Sequence, residues 1–375
     1  MKTIHRLMSL AIVGLGCLTL VAPGRAAVIG KATQGAPAIK SIEVLGFADD
    51  GTLLIGDGRG SQVVAVALTE SSEPAAPTTK LDNIKGLVGQ RLGTNADGVE
   101  LTDLAVHPKS GRIYLAVQRK DDKSSAIVTI DATGKLAELR LDNVSYAIIS
   151  LAGKSPVSRI TDVAWADDRL VAAAASNEEF ASKIFVARGP LNDGAKGELH
   201  SAETYHVAHR KWETRAPMSV IMPYRESGKT YVVGAFACTP VVKYSLDALE
   251  PEANVKGESM IELGSGNRPL DMFSYTKDGK EYVLSNTFRF HHERKPFGPS
   301  PYWTVRFERG LLDDKEKVNE KATLRLTGYE PATNRITMID AYHGVMQMDR
   351  LGTDRVAVLR AADGGRVDFE ILPLP

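Results

Sequence analysis

The chain has 375 residues, and its 46 lysines and arginines balance 46 aspartates and glutamates, which gives a formal net charge of zero. A neutral chain gives no reason to expect nucleic acid as a partner, because nucleic acid selects for an excess of basic side chains. The sequence has neither a Cys-x-x-Cys-His motif nor a glycine-rich phosphate loop, so we expect no covalent haem and no nucleotide cofactor.

Residues 1–26 have the features of a secretory signal peptide. Lys2 and Arg6 form a basic start, an apolar stretch follows at residues 7–21, and small residues precede a cleavage site after Ala26. The apolar stretch is short and interrupted by glycine, so it is a poor membrane anchor. We therefore expect a periplasmic or secreted protein that is cut near Ala26.

Cleavage would have consequences for the rest of the chain. It would remove Cys17 and leave Cys238 as the only cysteine, so no internal disulfide could form. No later stretch approaches the length of a membrane span, and we expect no membrane contact after cleavage. Residues 27–375 are therefore predicted to form one large domain whose stability comes from its apolar core.

The mature chain repeats one pattern, in which an apolar stretch, a polar turn and a second apolar stretch indicate a β-hairpin. The six hairpins begin at Ile42, Leu101, Ile160, Pro217, Pro269 and Gly344. The first five follow one another at intervals of roughly sixty residues, with no amphipathic helix between them. This long period of β-hairpins predicts an all-β fold, a six-bladed β-propeller in a single domain.

The ring of such a propeller must close. Beyond a third apolar stretch that ends near Ile371, the last hairpin has too little sequence for a fourth strand. The mature N-terminus, around residues 27–32, could supply that strand and so cover an exposed sheet edge. We expect a monomeric ring closed by the N-terminal strand.

The hairpins, for example residues 101–119 and 269–288, resemble those of six-bladed propellers of the NHL, lactonase and TolB-like kind. The resemblance covers the whole mature chain. It implies that each innermost strand starts at the top face and that the second strand returns there, so that these ends meet around the axis. It implies no single function, because hydrolases, lyases, receptors and scaffolds share this pattern.

Polar side chains at these strand ends are predicted to line a funnel on the top face. The set comprises Asp57, Asp103, Asp162, Asn177, Asn267, Arg268, Asp271 and Asn286. Their positions in successive hairpins allow a binding role. They also allow a structural one, since an aspartate at the top of an inner strand can accept backbone N–H groups from the neighbouring blade.

The fifth hairpin is followed by an insertion at about residues 287–330, which we expect on the top face. Its first part, residues 288–303, is predicted to be a lid or docking loop over the funnel, because long loops on a rigid scaffold commonly carry function. His291 and His292 are the candidate catalytic residues there. The alternative is that the loop aromatics only hold it against its own blade. Those aromatics are Phe288, Phe290, Phe297, Tyr302 and Trp303.

Three functional classes are compatible with this sequence. The favoured class binds a small molecule or an exported protein partner through the funnel, since no nucleophile, base and oxyanion set can be identified. The second is a Ca²⁺-dependent hydrolase or lactonase-like enzyme, in which a lid histidine would move a proton. Its hard oxygen ligands would be Asp103, Asp162, Asp271 and Asn286.

The third class is a copper-binding periplasmic protein. Thiol, thioether and imidazole groups suit copper. The candidate ligands are Cys238, Met346, Met348 and one of His291, His292 or His343. Met346 and Met348 would share one face of a strand because strand side chains alternate. The alternative is that both methionines are core residues.

Overall fold

The computed structural model describes residues 27–70, 80–152, 157–207, 210–238, 240–249, 254–264, 266–296, 298–313, 326–327, 330–331 and 334–375. The expected signal peptide of residues 1–26 lies outside these ranges, as do Phe297 and residues 314–325 and 328–329 of the 287–330 insertion. No helix within the described ranges is long and apolar enough to cross a membrane.

Strands dominate the described chain. The first are β1 (Thr33–Gly35), β2 (Val44–Phe47), β3 (Leu53–Asp57), β4 (Gln62–Ala67), β5 (Lys80–Leu81), β6 (Val99–Val106), β7 (Ile113–Arg119), β8 (Ser125–Ile130), β9 (Leu136–Glu138) and β10 (Val144–Ala152). The next are β11 (Val157–Ala166), β12 (Arg169–Ser176), β13 (Ser182–Arg188), β14 (Lys196–His206), β15 (Lys211–Glu213), β16 (Met218–Glu226), β17 (Lys229–Phe236), β18 (Pro240–Ser245), β19 (Asn254–Lys256) and β20 (Glu258–Glu262).

The last third of the chain continues in the same way. Its strands are β21 (Asn267–Lys277), β22 (Lys280–Arg289), β23 (Tyr302–Glu308), β24 (Leu326–Thr327), β25 (Glu330–Pro331), β26 (Ile336–Met338), β27 (Val345–Leu351), β28 (Arg355–Ala361) and β29 (Val367–Pro373). The described ranges contain one α-helix, α1 (Ile84–Arg91), and short 3-10 turns at Ala96–Gly98, Arg309–Leu312, Asp340–Tyr342 and Asp363–Gly365.

The fold is all-β and propeller-like, but the prediction of six separate blades is wrong. Four sheets have four strands each, in the orders β6-β7-β8-β9, β16-β17-β18-β20, β21-β22-β23-β26 and β27-β28-β29-β5. The remaining large sheet has eleven strands, with the main order β11-β12-β13-β14-β10-β4-β3-β2. β24 and β25 form a small two-stranded sheet.

Strand β10 is the reason for the merged sheet. It pairs antiparallel with β4 along residues 145–150, and its last residues pair parallel with β14, from Ser150 opposite Lys196 to Ala152 opposite Glu198. Both edges of β10 are thus used. It joins two strand groups that the hairpin pattern had treated as separate.

The innermost strands surround a common axis in an order that differs from their order in the chain. Contacts between them run from β6 to β2, then to β11, β16, β21 and β27, and back to β6. Along the chain β2 comes first, and β6 lies on one side of it. The chain then returns as β10 to the edge of the sheet that contains β2, and β11 begins on the other side of β2.

The prediction that the N-terminal strand closes the ring is also wrong. The last sheet takes its fourth strand from β5, where Leu81 pairs with Phe369 and Lys80 with Glu370. The backbone N–H of Asn83 donates to the Asp368 carboxylate at 2.7 Å and fixes this segment beside β29. Strand β1 pairs instead with β10, in the eleven-stranded sheet.

Neighbouring sheets pack against each other through apolar side chains. Between the β16 and β21 sheets, for example, Trp303, Phe307, Val233 and Ile261 are fully buried. Burial of each such side chain contributes about 1.5–3 kcal/mol. These apolar interfaces stabilise the fold. The polar side chains near the axis do not belong to them and therefore have another role.

Candidate functional site

Two cavities lie along the axis. The upper cavity, with a volume of about 590 Å³, lies where the inner strands begin, and the lower cavity, of about 680 Å³, lies where they turn into the second strands. Asp103 lines both. Asp162, Asp271 and Asp349 line the lower cavity, and Arg268 lines the upper one.

β-bulges decide which side chains face the upper cavity. In β6, β16 and β27 the pairing with the second strand skips one residue near the start of the strand, and in β11 it skips two, Ser158 and then Thr161. Four of the skipped residues line the upper cavity, namely Thr102, Thr161, Ser219 and Met346. A bulge interrupts the alternation of a strand and re-aims a side chain, which explains how these residues come together.

Carboxylates connect neighbouring inner strands, because each accepts a backbone N–H from the next strand in the ring. These bonds run from Leu45 to Asp103 (2.6 Å), from Ile221 to Asp162 (2.7 Å), from Met348 to Asp271 (2.9 Å) and from Val106 to Asp349 (2.7 Å). Glu43 accepts in the same way from Ile160, at 2.8 Å. These hydrogen bonds join β6 to β2, β2 to β11, β11 to β16, β21 to β27 and β27 to β6.

Burial raises the pKa of the four aspartates. The pKa is about 7 for Asp162 and about 6 for Asp349. Burial raises those of Asp103 and Asp271 well above the usual range, and the charges of the neighbouring aspartates raise them further. The ring of carboxylates is therefore a structural frame whose ionised form is disfavoured by its surroundings.

The side chains expected to bind calcium already accept hydrogen bonds from backbone N–H groups. Asn286 is buried, its Oδ1 accepts from the Asp271 N–H at 2.8 Å, and its Nδ2 donates to the Val345 carbonyl at 3.2 Å. No group of three or more His, Cys, Asp or Glu side chains within the described ranges is arranged to hold a metal ion. The geometry of these residues gives the calcium hypothesis no support.

The other residues of the predicted funnel lie in three different environments. Asp57 is buried and accepts from the backbone N–H groups of Lys40, Ser41 and Gly60. Asn177 is exposed, and Asn267 accepts from the Trp303 indole N–H at 3.2 Å. Asp57, Asn177, Asn267 and Asn286 are not among the described residues that line either cavity.

The candidate copper ligands do not share one location. Met346 lines the upper cavity, whereas Met348, only 2% exposed, lines the lower one. The expectation that the two alternate onto one strand face did not include the bulge at Met346. Cys238 lies elsewhere, where its backbone N–H donates to the carbonyl of Asn267 at 2.9 Å.

The loop that follows β22 packs largely on its own sheet. Phe288 contacts the rings of Phe290 and Tyr302, at centroid distances of 6.0 and 5.0 Å. His291 and His292 lie in a turn beyond Phe290 and are not among the described residues that line the cavities. These contacts agree with the alternative in which the aromatics hold the loop to its own sheet.

The upper cavity contains basic side chains. Arg159 and Arg268 line it on β11 and β21, and Lys85 and Lys120 lie at its wall. Burial and the nearby charge of Arg159 both lower the pKa of the Arg268 guanidinium. Two guanidinium cations therefore line the same cavity, and they repel each other.

Two residues that line this cavity each have a buried polar atom without a hydrogen-bond partner among the described residues, namely Ser219 Oγ and Arg268 Nε. Ser219 is 9% exposed. The threonines at the equivalent bulges differ, since Thr161 donates to the Met218 carbonyl at 2.7 Å and Thr102 to that of Ile42 at 3.5 Å. Among these three bulge hydroxyls, only that of Ser219 has no hydrogen-bond partner among the described residues.

Sequence reasoning missed Arg159 and Asp349. Arg159 stands immediately before the third hairpin, as Arg268 stands immediately before the fifth, and this shared position was the available signal. Asp349 stands five residues after the start of its predicted hairpin, whereas the other three aspartates stand two residues after the start of theirs. Only the closeness of β27 and β6 shows its role, which is to accept from Val106.

No family model matches this sequence, and no curated protein does either. Solved structures are similar at low levels. The PQQ-bound aldose sugar dehydrogenase from Streptomyces coelicolor is 12% identical, with 94% of this chain and 100% of that chain covered and a TM-score of 0.35. The extracellular region of plexin A4 is 7% identical, with 93% and 40% covered and a TM-score of 0.41.

A third similar structure is a variant of NanB sialidase from Streptococcus pneumoniae. It is 11% identical, with 92% of this chain and 56% of that chain covered and a TM-score of 0.36. Likenesses at these levels transfer no activity to this chain.

Proposed function

We propose that this chain is an exported protein that binds a small molecule in the upper cavity. The observation that carries the proposal is the pair of buried, unpartnered polar atoms there, Ser219 Oγ and Arg268 Nε. The cavity volume of about 590 Å³ suits a small molecule, since such sites commonly measure roughly 300–1,000 Å³.

The energetic reason is the cost of leaving buried polar groups without partners. Each such group costs about 1–3 kcal/mol relative to a satisfied one. The equivalent threonine Thr161 avoids this cost by bonding to a neighbouring strand. A ligand that accepts from Ser219 and Arg268 would recover it, and this recovery would contribute to binding.

Binding is better supported than the hydrolase or copper alternatives. The carboxylates that would hold calcium already accept backbone N–H groups, as Asp103 does from Leu45. The two methionines that would hold copper line different cavities. No observation on the described residues favours the hydrolase or the copper protein over the binding of a small molecule.

A thermal-shift screen with a mixed set of neutral sugars, amines, amino acids, carboxylates and phosphates tests the proposal. Leu270 lines the upper cavity, so Leu270→Trp should fill it and abolish any saturable shift. Leu87, on the outer face of α1 and 38% exposed, provides the matched control Leu87→Trp, which should retain binding. Binding that survives Leu270→Trp would place the ligand elsewhere and contradict the proposal.

Export has its own test. The basic start, the apolar stretch and the small residues before the cleavage site support secretion, with a mature chain that begins at Ala27. N-terminal sequencing of the protein recovered from the periplasm or medium should find that start. An uncleaved chain that stays in the cytoplasm would contradict it.

A further inference from the structure

We propose that the upper cavity binds an oxyanion, the carboxylate or phosphate group of a small organic molecule, between Arg159 and Arg268. This inference rests on the proposed function and names the chemistry of its ligand. The argument depends on where the two guanidinium groups lie, on what surrounds them and on the hydroxyl between their strands.

The three residues come from consecutive strands of the ring. Arg159 lies on β11, Ser219 on β16 and Arg268 on β21, and β16 contacts both of its neighbours. All three line the upper cavity. The fold therefore brings two cations and a buried hydroxyl to one side of the same space.

Neither guanidinium is neutralised by an ion pair within the described part of the chain. Acidic side chains also line this cavity, namely Glu100, Asp103 and Glu43, and the charge of Glu43 interacts with that of Arg159. Glu43 already accepts from the Ile160 N–H at 2.8 Å and from the Ser41 hydroxyl at 3.4 Å, and burial raises its pKa. Two like charges in a partly buried space favour a bound anion between them.

The donor geometry indicates an oxyanion. A guanidinium presents N–H groups in a planar fork that matches the oxygens of a carboxylate or a phosphate. The Ser219 hydroxyl can donate to a further oxygen. Lys85 and Lys120 also line the cavity, so four basic side chains stand beside the carboxyl groups of Glu43, Glu100 and Asp103. Because burial disfavours the ionised forms of Glu43 and Asp103, the positive charges are in excess, and this excess favours an anion.

The remaining wall indicates that the anion belongs to an organic molecule. Leu270 and Met346 supply apolar surface, and Tyr302 supplies an aromatic ring beside Arg268. The Arg268 charge acts on the Tyr302 hydroxyl, although burial is the larger influence and raises the pKa of that hydroxyl. An inorganic ion would leave this apolar surface without contact.

Four probes at constant ionic strength test the inference by titration calorimetry and thermal shift. They are benzoate, its neutral analogue benzamide, phenyl phosphate and inorganic phosphate. We expect saturable binding of benzoate or phenyl phosphate, weaker binding of inorganic phosphate, and none of benzamide. Benzoate alone would assign a carboxylate, and phenyl phosphate alone would assign a phosphate ester.

The variants Arg159→Gln and Arg268→Gln should each weaken binding at least about tenfold, since each removes a charge-assisted hydrogen bond. Arg140, an exposed residue paired with Asp142, gives the control Arg140→Gln, which should bind as the wild type does. Without ligand, Arg268→Gln should melt no lower than the wild type, because the variant relieves the repulsion from Arg159.

Three binding results would overturn the inference. They are benzamide binding as strongly as benzoate, anion binding unchanged in Arg159→Gln and Arg268→Gln, or no saturable binding of benzoate and phenyl phosphate. A neutral ligand that is lost in Leu270→Trp would leave the proposed function standing without an anion site. A large fall in the melting temperature of ligand-free Arg268→Gln would show a structural arginine and would also overturn it.

Discussion

The two cavities on the axis are both lined by acidic and basic side chains, but these side chains differ in their hydrogen-bond partners. The lower cavity has Asp162, Asp271 and Asp349, each of which accepts a backbone N–H from a neighbouring strand. The upper cavity has Arg159 and Arg268, and Arg268 Nε lacks a partner among the described residues.

This difference separates structural from functional polar groups. A buried polar group whose hydrogen bonds are satisfied by the fold is explained by the fold. A buried polar group without a partner lowers stability, and such costs are commonly found at functional sites. Removal of side chains from the lower cavity should therefore weaken the fold, whereas removal from the upper cavity should weaken binding.

The largest effect is expected at Asp103. Asp103→Ala removes the acceptor of the Leu45 and Leu104 N–H groups, so the free energy of unfolding should fall by about 2–3 kcal/mol. Asp103→Asn keeps an acceptor oxygen and should retain most of the stability. Urea unfolding measures both. An alanine variant as stable as the wild type would contradict the structural role of the lower carboxylates.

The next effect concerns pH. Burial and the charge of Asp349 raise the pKa of Asp162 to about 7, despite the N–H groups of Ile221 and Val163. The folded state therefore binds a proton that the unfolded state releases at lower pH, and stability is lost as pH rises toward 7. Between pH 5 and pH 8 the wild type should lose on the order of 2 kcal/mol more than Asp162→Asn.

Unfolding titrations at both pH values compare the two proteins. The difference between the two proteins reports the Asp162 carboxyl together with the effect of its charge on Asp103 and Asp271. Equal pH dependence in both proteins would show that the Asp162 carboxyl is not perturbed in the folded state.

A smaller effect distinguishes two equivalent hydroxyls. Thr161→Val removes the bond to the Met218 carbonyl and should cost about 1 kcal/mol. Ser219→Ala removes a buried hydroxyl without a partner, so the stability of the ligand-free protein should stay equal or rise slightly. Thermal and urea unfolding measure both variants. If Ser219→Ala were as destabilising as Thr161→Val, the serine would have a structural role.

The smallest effect is expected at Phe290, which is 45% exposed in the loop after β22. Phe290→Ser should change the free energy of unfolding by no more than about 0.5 kcal/mol. Benzoate or phenyl phosphate binding should also stay unchanged, because Phe290 is not among the described residues of the cavity wall. Weaker binding would revive the hypothesis that residues 288–303 form a lid.

Part of the site could be predicted from local pattern. Asp103, Asp162 and Asp271 each stand two residues after the start of a predicted hairpin, and this repeated position is why we expected them in one funnel on the top face. In the structure all three line the lower cavity. The sequence left their role open between ligand binding and backbone bonding. The structure shows the backbone bonds, which depend on how closely two distant strands approach each other.

The sheet arrangement was harder to predict. Strand β10 was missed because it belongs to no hairpin, and its three partners β1, β4 and β14 come from other parts of the chain. The closing strand β5 has two residues and pairs with β29 across most of the sequence. Such pairings leave no periodic signal, since only hairpins bring neighbouring residues into register.

The all-β character and the hairpins could be predicted from the sequence alone, because the apolar alternation and the turn residues that specify a hairpin are close together in the chain. The tertiary structure alone decided the order of strands in the ring, the merged eleven-stranded sheet and the partners of every buried polar group. It alone also brought Arg159, Ser219 and Arg268 to one cavity. The physical reason is that burial and electrostatic fields depend on distances between strands, which the chain order does not specify.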